Sequence, residues 1–265
     1  MALPAAAQEP TVPQSELATF ADLATLADRS ELVIRAEIRD QIVLKPERAP
    51  GLQPGFARLY IEARTLSLLS GSSAIGESLN YLVDVPLTAK GKPPKLKRRE
   101  MLLFARPVRG KAGSIQLVGS EGQMDYTPAL VARLRPILTQ LLASDAPPVV
   151  TGVNDALAVP GNLVGESETQ IFLGTEDRSP VSVSVLRRPG QNPVWGVSWG
   201  EIIDSAARPP QPRTVRWYRL ACSLPQSLPS SANLSRDPAA RRLASTDYSF
   251  VLEQLGPCER RITNS

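Results

Sequence analysis

The chain has 265 residues, 42% hydrophobic and 21% charged, with a formal net charge of +4. That composition folds rather than staying disordered, and the length suits one large domain or two ordinary ones. There is no histidine, which excludes every Ser-His-Asp or Cys-His constellation and removes the usual general base near neutral pH and the commonest zinc ligand.

The N-terminus, MALPAAAQEPTVPQ, has neither a basic head nor an apolar run, so it does not read as an intact signal peptide. Ala5-Ala6-Ala7 has the small-x-small form of a cleavage point, and a Pro/Gln-rich tether follows. Residues 1–14 are therefore expected to be a disordered tether left after signal cleavage of an exported protein. No run approaches the roughly 20 apolar residues of a membrane-spanning helix.

Leu17, Phe20, Leu23 and Ala27 recur at helical spacing, with Asp22 three residues after Thr19 in a capping-box position, so a helix is predicted over about 19–27. Residues 31–39 alternate, Leu32, Ile34, Ala36 and Ile38 against Arg35, Glu37 and Arg39, as a half-buried strand does. A Pro/Gly-rich loop, 46–55, ends it. Further strands are predicted over 57–64, 79–85, 101–104 and 115–118. Thr127-Pro128 then opens a helix with the stripe Leu130, Leu134, Ile137 and Leu141, and Pro136 is expected to kink it. Helix, five antiparallel strands and helix make a first domain over 15–146, with Ser144 to Pro148 as its boundary.

The second domain, 149–262, begins with strand-like runs at 149–159, 169–173, 181–186 and 194–203, separated by turn signals such as Pro160-Gly161 and Pro189-Gly190. Two helices are predicted after Pro209-Pro210. Trp217, Leu220, Ala221 and Leu224 stripe the first. The second starts at Asp237-Pro238 and carries Leu243, Ala244, Tyr248, Val251 and Leu255 on its apolar side. The only cysteines are Cys222, on the first helix, and Cys258, just past the second. A helical hairpin brings them together as a disulfide, which fits an oxidising compartment. On the loop-entropy account the bond stabilises by roughly 3–4 kcal/mol.

The run ELVIRAEIRD (31–40), then ARLYIEARTLSLLSG (57–71), LNYLVDVP (79–86), KRREMLLFARP (97–107) and the helix after them resemble the netrin-like module, the OB-type barrel also used by tissue inhibitors of metalloproteinases. The resemblance covers about residues 15–143 and implies that fold. It departs at the inhibitory chemistry. Those inhibitors chelate the protease metal through an N-terminal cysteine, and here no cysteine precedes Cys222. The whole chain also resembles exported bacterial proteins of no assigned activity, which implies none here.

Lys90, Lys92, Lys95, Lys97, Arg98 and Arg99 crowd ten positions between two strands, the densest charge in the chain. On an OB-type barrel such a loop binds phosphates, nucleic acid or anionic envelope lipid. The aromatic interleaving that single-strand binders use is missing, and the plainer reading is a solvated hairpin. Trp195 and Trp199 share a strand face with Val197. Exposed, they would form a stacking platform for sugar rings or a partner's apolar groups; packing beneath the C-terminal helices is the stronger alternative. Gly196-Val-Ser198-Trp-Gly200 matches the nucleophile-elbow pattern, but Ser198 has no histidine to activate it and the flanks do not read strand into helix. Glu166, Glu168, Glu176, Asp177, Glu201 and Asp204 supply carboxylates, and paired carboxylates can run glycoside hydrolysis without histidine, but no spacing among these argues for it. Asn233-Leu-Ser235 matches a glycosylation sequon by chance beside a helix cap.

These readings converge on an α+β protein: an N-terminal OB-like (netrin-like) β-barrel with flanking helices, then a small mixed sheet with a C-terminal disulfide-stapled helical hairpin. The expected function is non-catalytic binding of a protein or envelope component in the periplasm or outside the cell, with no cofactor, no metal and nucleic acid disfavoured. Two alternatives compete with it: a carboxylate-dependent enzyme on envelope polysaccharide, and a polyanion-binding protein that uses loop 90–99.

Overall fold

A computed structural model describes residues 14–71, 75–201 and 207–263; the tether expected over 1–14 thus lies, but for its last residue, outside the described residues. The fold is α+β and divides into two units, residues 1–138 with 260–265, and residues 139–259. The division falls after Leu138, within a helix, rather than at the Ser144–Pro148 segment that the sequence suggested.

The first unit opens with a short helix, α1 (Gln14–Leu17), and then α2 (Phe20–Arg29). Both halves of a capping box start α2: Thr19 Oγ1 accepts from the Asp22 amide at 3.1 Å, and Asp22 Oδ2 accepts from the Thr19 amide at 2.8 Å. A curled antiparallel sheet follows, made of β1 (Leu32–Val43), β2 (Phe56–Ser70), β3 (Ser78–Pro86), β4 (Glu100–Pro107), β5 (Ile115–Leu117) and β6 (Gln123–Asp125). The order is β3-β2-β1-β4-β5, with β6 also on β4. That makes six strands where the sequence reading counted five; β6 has only three residues, too few to show a period of two.

Strand alternation sorts the side chains. Ile34, Ala36, Leu59, Ile61, Val83 and Leu103 belong to one buried cluster on the concave side of the sheet. The alternate residues Val33, Leu102 and Phe104 are also buried, so the middle strands are covered on both faces. The two ends of the strand path meet at a parallel bridge, Asn80 to Ser114, where the Asn80 amide donates to the Gly113 carbonyl at 2.8 Å and Ser114 Oγ donates to Asn80 Oδ1 at 2.8 Å.

Helix α3 (Pro128–Leu141) is capped by Thr127, whose Oγ1 accepts from the Leu130 amide at 3.0 Å, and it buries Leu130, Leu134, Ile137 and Leu138. The last described residues return to this unit. Asp22 is fully buried, and each carboxylate oxygen is met by three donors. Oδ2 accepts from Thr19 N, Thr19 Oγ1 and the Arg261 amide; Oδ1 accepts from the Ile262 and Thr263 amides and from Thr263 Oγ1, at 2.7–3.3 Å overall.

The second unit contains β7 (Val150–Pro160), β8 (Ser167–Thr175), β9 (Val181–Arg187) and β10 (Val194–Ser198) in the order β10-β9-β8-β7. Every pair is antiparallel. The expected mixed sheet is therefore a plain antiparallel meander, as short turns between successive strands dictate. Residues 202–206, which include Asp204 and the end of the last predicted strand, lie outside the described residues.

Helices α4 (Val215–Ala221) and α5 (Pro238–Leu255) complete the unit, with Cys222 and Cys258 bonded as the hairpin predicts. Thr214 caps α4 and Asp237 caps α5. Helix α5 packs on β7 and β8. There the fully buried Asp247 accepts from Thr169 Oγ1 at 2.5 Å and pairs with Arg187 at 2.6 Å. Trp217 Nε1 donates to the Leu255 carbonyl at 2.8 Å, and Tyr248 Oη donates to the Pro225 carbonyl at 2.6 Å.

Candidate functional site

The segment 87–99 joins β3 to β4 and contains all six predicted cations, each of them exposed. It is an ordered loop. Gln41, near the end of β1, spans it with its amide: Nε2 donates to the Pro94 carbonyl at 2.9 Å, and Oε1 accepts from the Leu96 amide. Leu96 is buried and joins the core cluster of this sheet. Arg98 adopts φ of +70°, held by its amide donating to the Ile38 carbonyl at 2.8 Å and by the Ile38 amide donating to Arg99 at 2.9 Å.

Two of the six cations are engaged: Lys97 reaches Asp40 at 3.4 Å, and Arg99 pairs with Asp125. Both pairs are largely exposed, so each contributes little to stability. Among the described residues no ion pair involves Lys90, Lys92, Lys95 or Arg98.

The loop lies beside the β1–β2 hairpin. The Leu44 amide donates to the Arg58 carbonyl, and the Leu87 amide donates to Gly55, which places both connections at the same end of the sheet. The hairpin brings Lys45 and Arg48, both exposed. Segments 40–56 and 86–98 together hold seven Lys and Arg against Asp40 and Glu47, a balance of +5 in a chain whose total is +4. The remaining residues sum to −1, so these two segments account for the net positive charge of the chain.

The same end exposes Ile42 (50%), Val43 (51%) and Phe56 (40%). The strand register puts Ile42, Tyr60 and Leu82 in one row across β1, β2 and β3, with Phe56 opposite Pro86 nearby. Between those rows Arg58 and Asp84 form a two-pronged ion pair at 2.6 and 2.7 Å, which holds the guanidinium pKa above its ordinary value. Sequence reasoning missed the apolar residues because it ended the first strand at Arg39. The signal was the run Gln41-Ile42-Val43-Leu44, four positions carried past the last alternation. A groove of 620 Å³ adjoins this face, lined by Tyr60, Leu82, Val108, Lys111 and Gln116 among others.

In the second unit the tryptophans do not make one open platform. Trp195 is 7% exposed, and its alternation places it with Val197 in the buried layer. Trp199 follows the end of β10 and is half-buried in a separate cleft with Pro209 and Pro210. Ser198 is buried at the end of β10. The glycine before it has a packing reason: a Cβ on Gly196 would lie 2.3 Å from the Ala207 carbonyl oxygen.

The carboxylates serve their own turns. Glu166 accepts from the Asn162 and Leu163 amides at 3.1 and 3.2 Å. Asp177 accepts from the amide and hydroxyl of Ser179, and these bonds hold its pKa below the usual carboxylate value. Glu168 accepts from Gln170, while Glu176 and Glu201 are exposed. Asn233 of the sequon is buried and donates to the Arg241 carbonyl at 2.9 Å. Among the described residues no cluster of three Cys, Asp or Glu side chains is placed to hold a metal ion. No protein-family model matches the chain, and the search of curated proteins finds no match either.

Proposed function

We propose that this chain is an exported, non-catalytic binding protein whose ligand-contacting surface is the cationic end of the first unit, and that its ligand is polyanionic. One observation carries the reading: a charge balance of +5 gathered in two neighbouring segments, on a loop already ordered by Gln41 and Leu96. A preordered loop spends little conformational entropy on binding. The disulfide supports an oxidising compartment, and no helix among the described residues is long and apolar enough to cross a membrane.

An OB-like reading of the first unit is consistent with this. The strand order β3-β2-β1-β4-β5, antiparallel throughout, together with the parallel Asn80–Ser114 bridge between its ends, supports a five-stranded barrel of that type.

Retention on heparin tests the reading. Replacing Lys90, Lys92, Lys95 and Arg98 by Gln removes the four cations that have no ion pair. Retention is expected to vanish while the unfolding midpoint stays unchanged, and wild-type retention should fall steeply with salt as counterions are released. Elution of the wild type below physiological salt, or equal retention of the variant, refutes the proposal.

A further inference from the structure

Resting on the polyanion reading above, we propose that the cationic end of the first unit docks on an anionic lipid surface, with Ile42, Val43 and Phe56 entering the boundary between headgroups and acyl chains and the surrounding lysines lying against the lipid phosphates. Three observations single out this occupant.

The first is the pairing of apolar and cationic groups at one place. Ile42 and Phe56 share one face of the sheet and Val43 stands at the same strand end on the other face, and each is about half exposed. Lys95 sits between Pro94 and Leu96, the two residues that Gln41 clasps, at the strand end that carries Ile42 and Val43. A soluble polyanion would reward the charges alone. A lipid interface rewards both, because binding there scales with buried apolar area plus attraction to anionic headgroups.

The second is the kind of cation. Arginine supplies 24 of the 30 basic residues of the chain, yet Lys45, Lys90, Lys92, Lys95 and Lys97, five of its six lysines, stand at this end. Arginine is the side chain that clamps individual phosphodiesters in two-pronged geometry. Lysine is a mobile point charge on a long apolar stem, which lies along a hydrocarbon boundary with its ammonium in water. The third observation concerns stacking. Segment 86–99 contains no aromatic residue, so the loop offers nothing on which the bases of a single strand would stack.

Flotation of the full chain with vesicles tests this. Phosphatidylcholine vesicles with and without phosphatidylglycerol serve as probes, and heparin is run in parallel. Binding is expected only with phosphatidylglycerol present and should weaken with salt. Replacing Lys90, Lys92, Lys95 and Lys97 by Gln should reduce partitioning by on the order of several hundredfold, at about fivefold for each cation. The combined substitution Ile42→Ser, Val43→Ser and Phe56→Ser should abolish flotation and leave heparin retention unchanged. Val43→Ser alone, at an exposed position, should give a partial loss if the triple variant does not fold.

Wild-type retention on heparin without flotation overturns the lipid proposal and leaves the polyanion reading standing. Equal flotation of wild type and the apolar variants overturns it as well. Failure on both heparin and vesicles overturns both.

Discussion

Replacing Asp22 by Asn is expected to unfold the first unit at markedly lower denaturant. The side chain is fully buried and each oxygen takes three donors: two from Thr19 and the Arg261 amide on one, and the Ile262 and Thr263 amides with the Thr263 hydroxyl on the other. An amide cannot replace it in either orientation, since its NH2 would face two backbone N–H groups. Each charge-assisted bond is worth roughly 1.5–3 kcal/mol net, and a buried donor left unmet costs a further 1–3. A loss of about 3–5 kcal/mol follows once partial relaxation is allowed, a large fraction of the roughly 5–15 kcal/mol that holds a typical domain folded.

The pH dependence carries the same signature. Burial pushes the Asp22 pKa up, but the bonds from Thr19, Thr263 and Arg261 outweigh it, so the folded value lies below the ordinary 3.8. A folded pKa below the unfolded one contributes stability that is complete above 3.8 and is lost as pH falls through the folded value. Wild type should lose this contribution on acidification, and Asp22→Asn should show none of it. All three tryptophans lie in the second unit, at 195, 199 and 217. Tryptophan fluorescence therefore follows that unit alone, while far-UV circular dichroism follows both. A urea series in which Asp22→Asn unfolds within about 0.5 kcal/mol of wild type by circular dichroism would refute the argument, since that is the range of an ordinary surface change.

Two further outcomes follow from the second unit. Thiol titration of the denatured, unreduced protein should find no free sulfhydryl, and replacing Cys222 and Cys258 by Ser should lower the fluorescence-detected stability by roughly 3–4 kcal/mol, the entropy of closing a loop over a separation of 36 residues. Asp247→Ala should cost about 3–5 kcal/mol in the same assay, because it strands the partly buried Arg187 and leaves Thr169 without its acceptor; a change under about 1 kcal/mol would mean that water replaces the carboxylate there.

Much of this architecture was legible because it is local. The Thr19–Asp22 capping box, the alternation of 31–39 and the Asp237-Pro238 helix start each declare themselves within a few residues. The hairpin that joins Cys222 to Cys258 needed only two helical stripes. What the sequence hid is non-local or too short. The three residues of β6 carry no period. Asp247 reads as a polar position on α5 until the sheet supplies Arg187 and Thr169. Asp22 announces a cap, and nothing near it announces that the 261–263 backbone comes back to the same carboxylate. At the candidate site the cations were visible as a charge run, whereas the exposure of Ile42 and Val43 depended on how far β1 projects beyond its pairing with β4, which ends at Glu37.

The return of Thr263 to Asp22 spans 241 residues, so the second unit is in effect an insertion into the first. A growing chain threaded from its N-terminus holds nearly all of the first unit long before it holds the segment that completes it. During that interval Asp22 lacks four of its six donors. Anything that holds back residues 261–263 therefore acts on the first unit, although they lie some 240 residues further along the chain than Asp22.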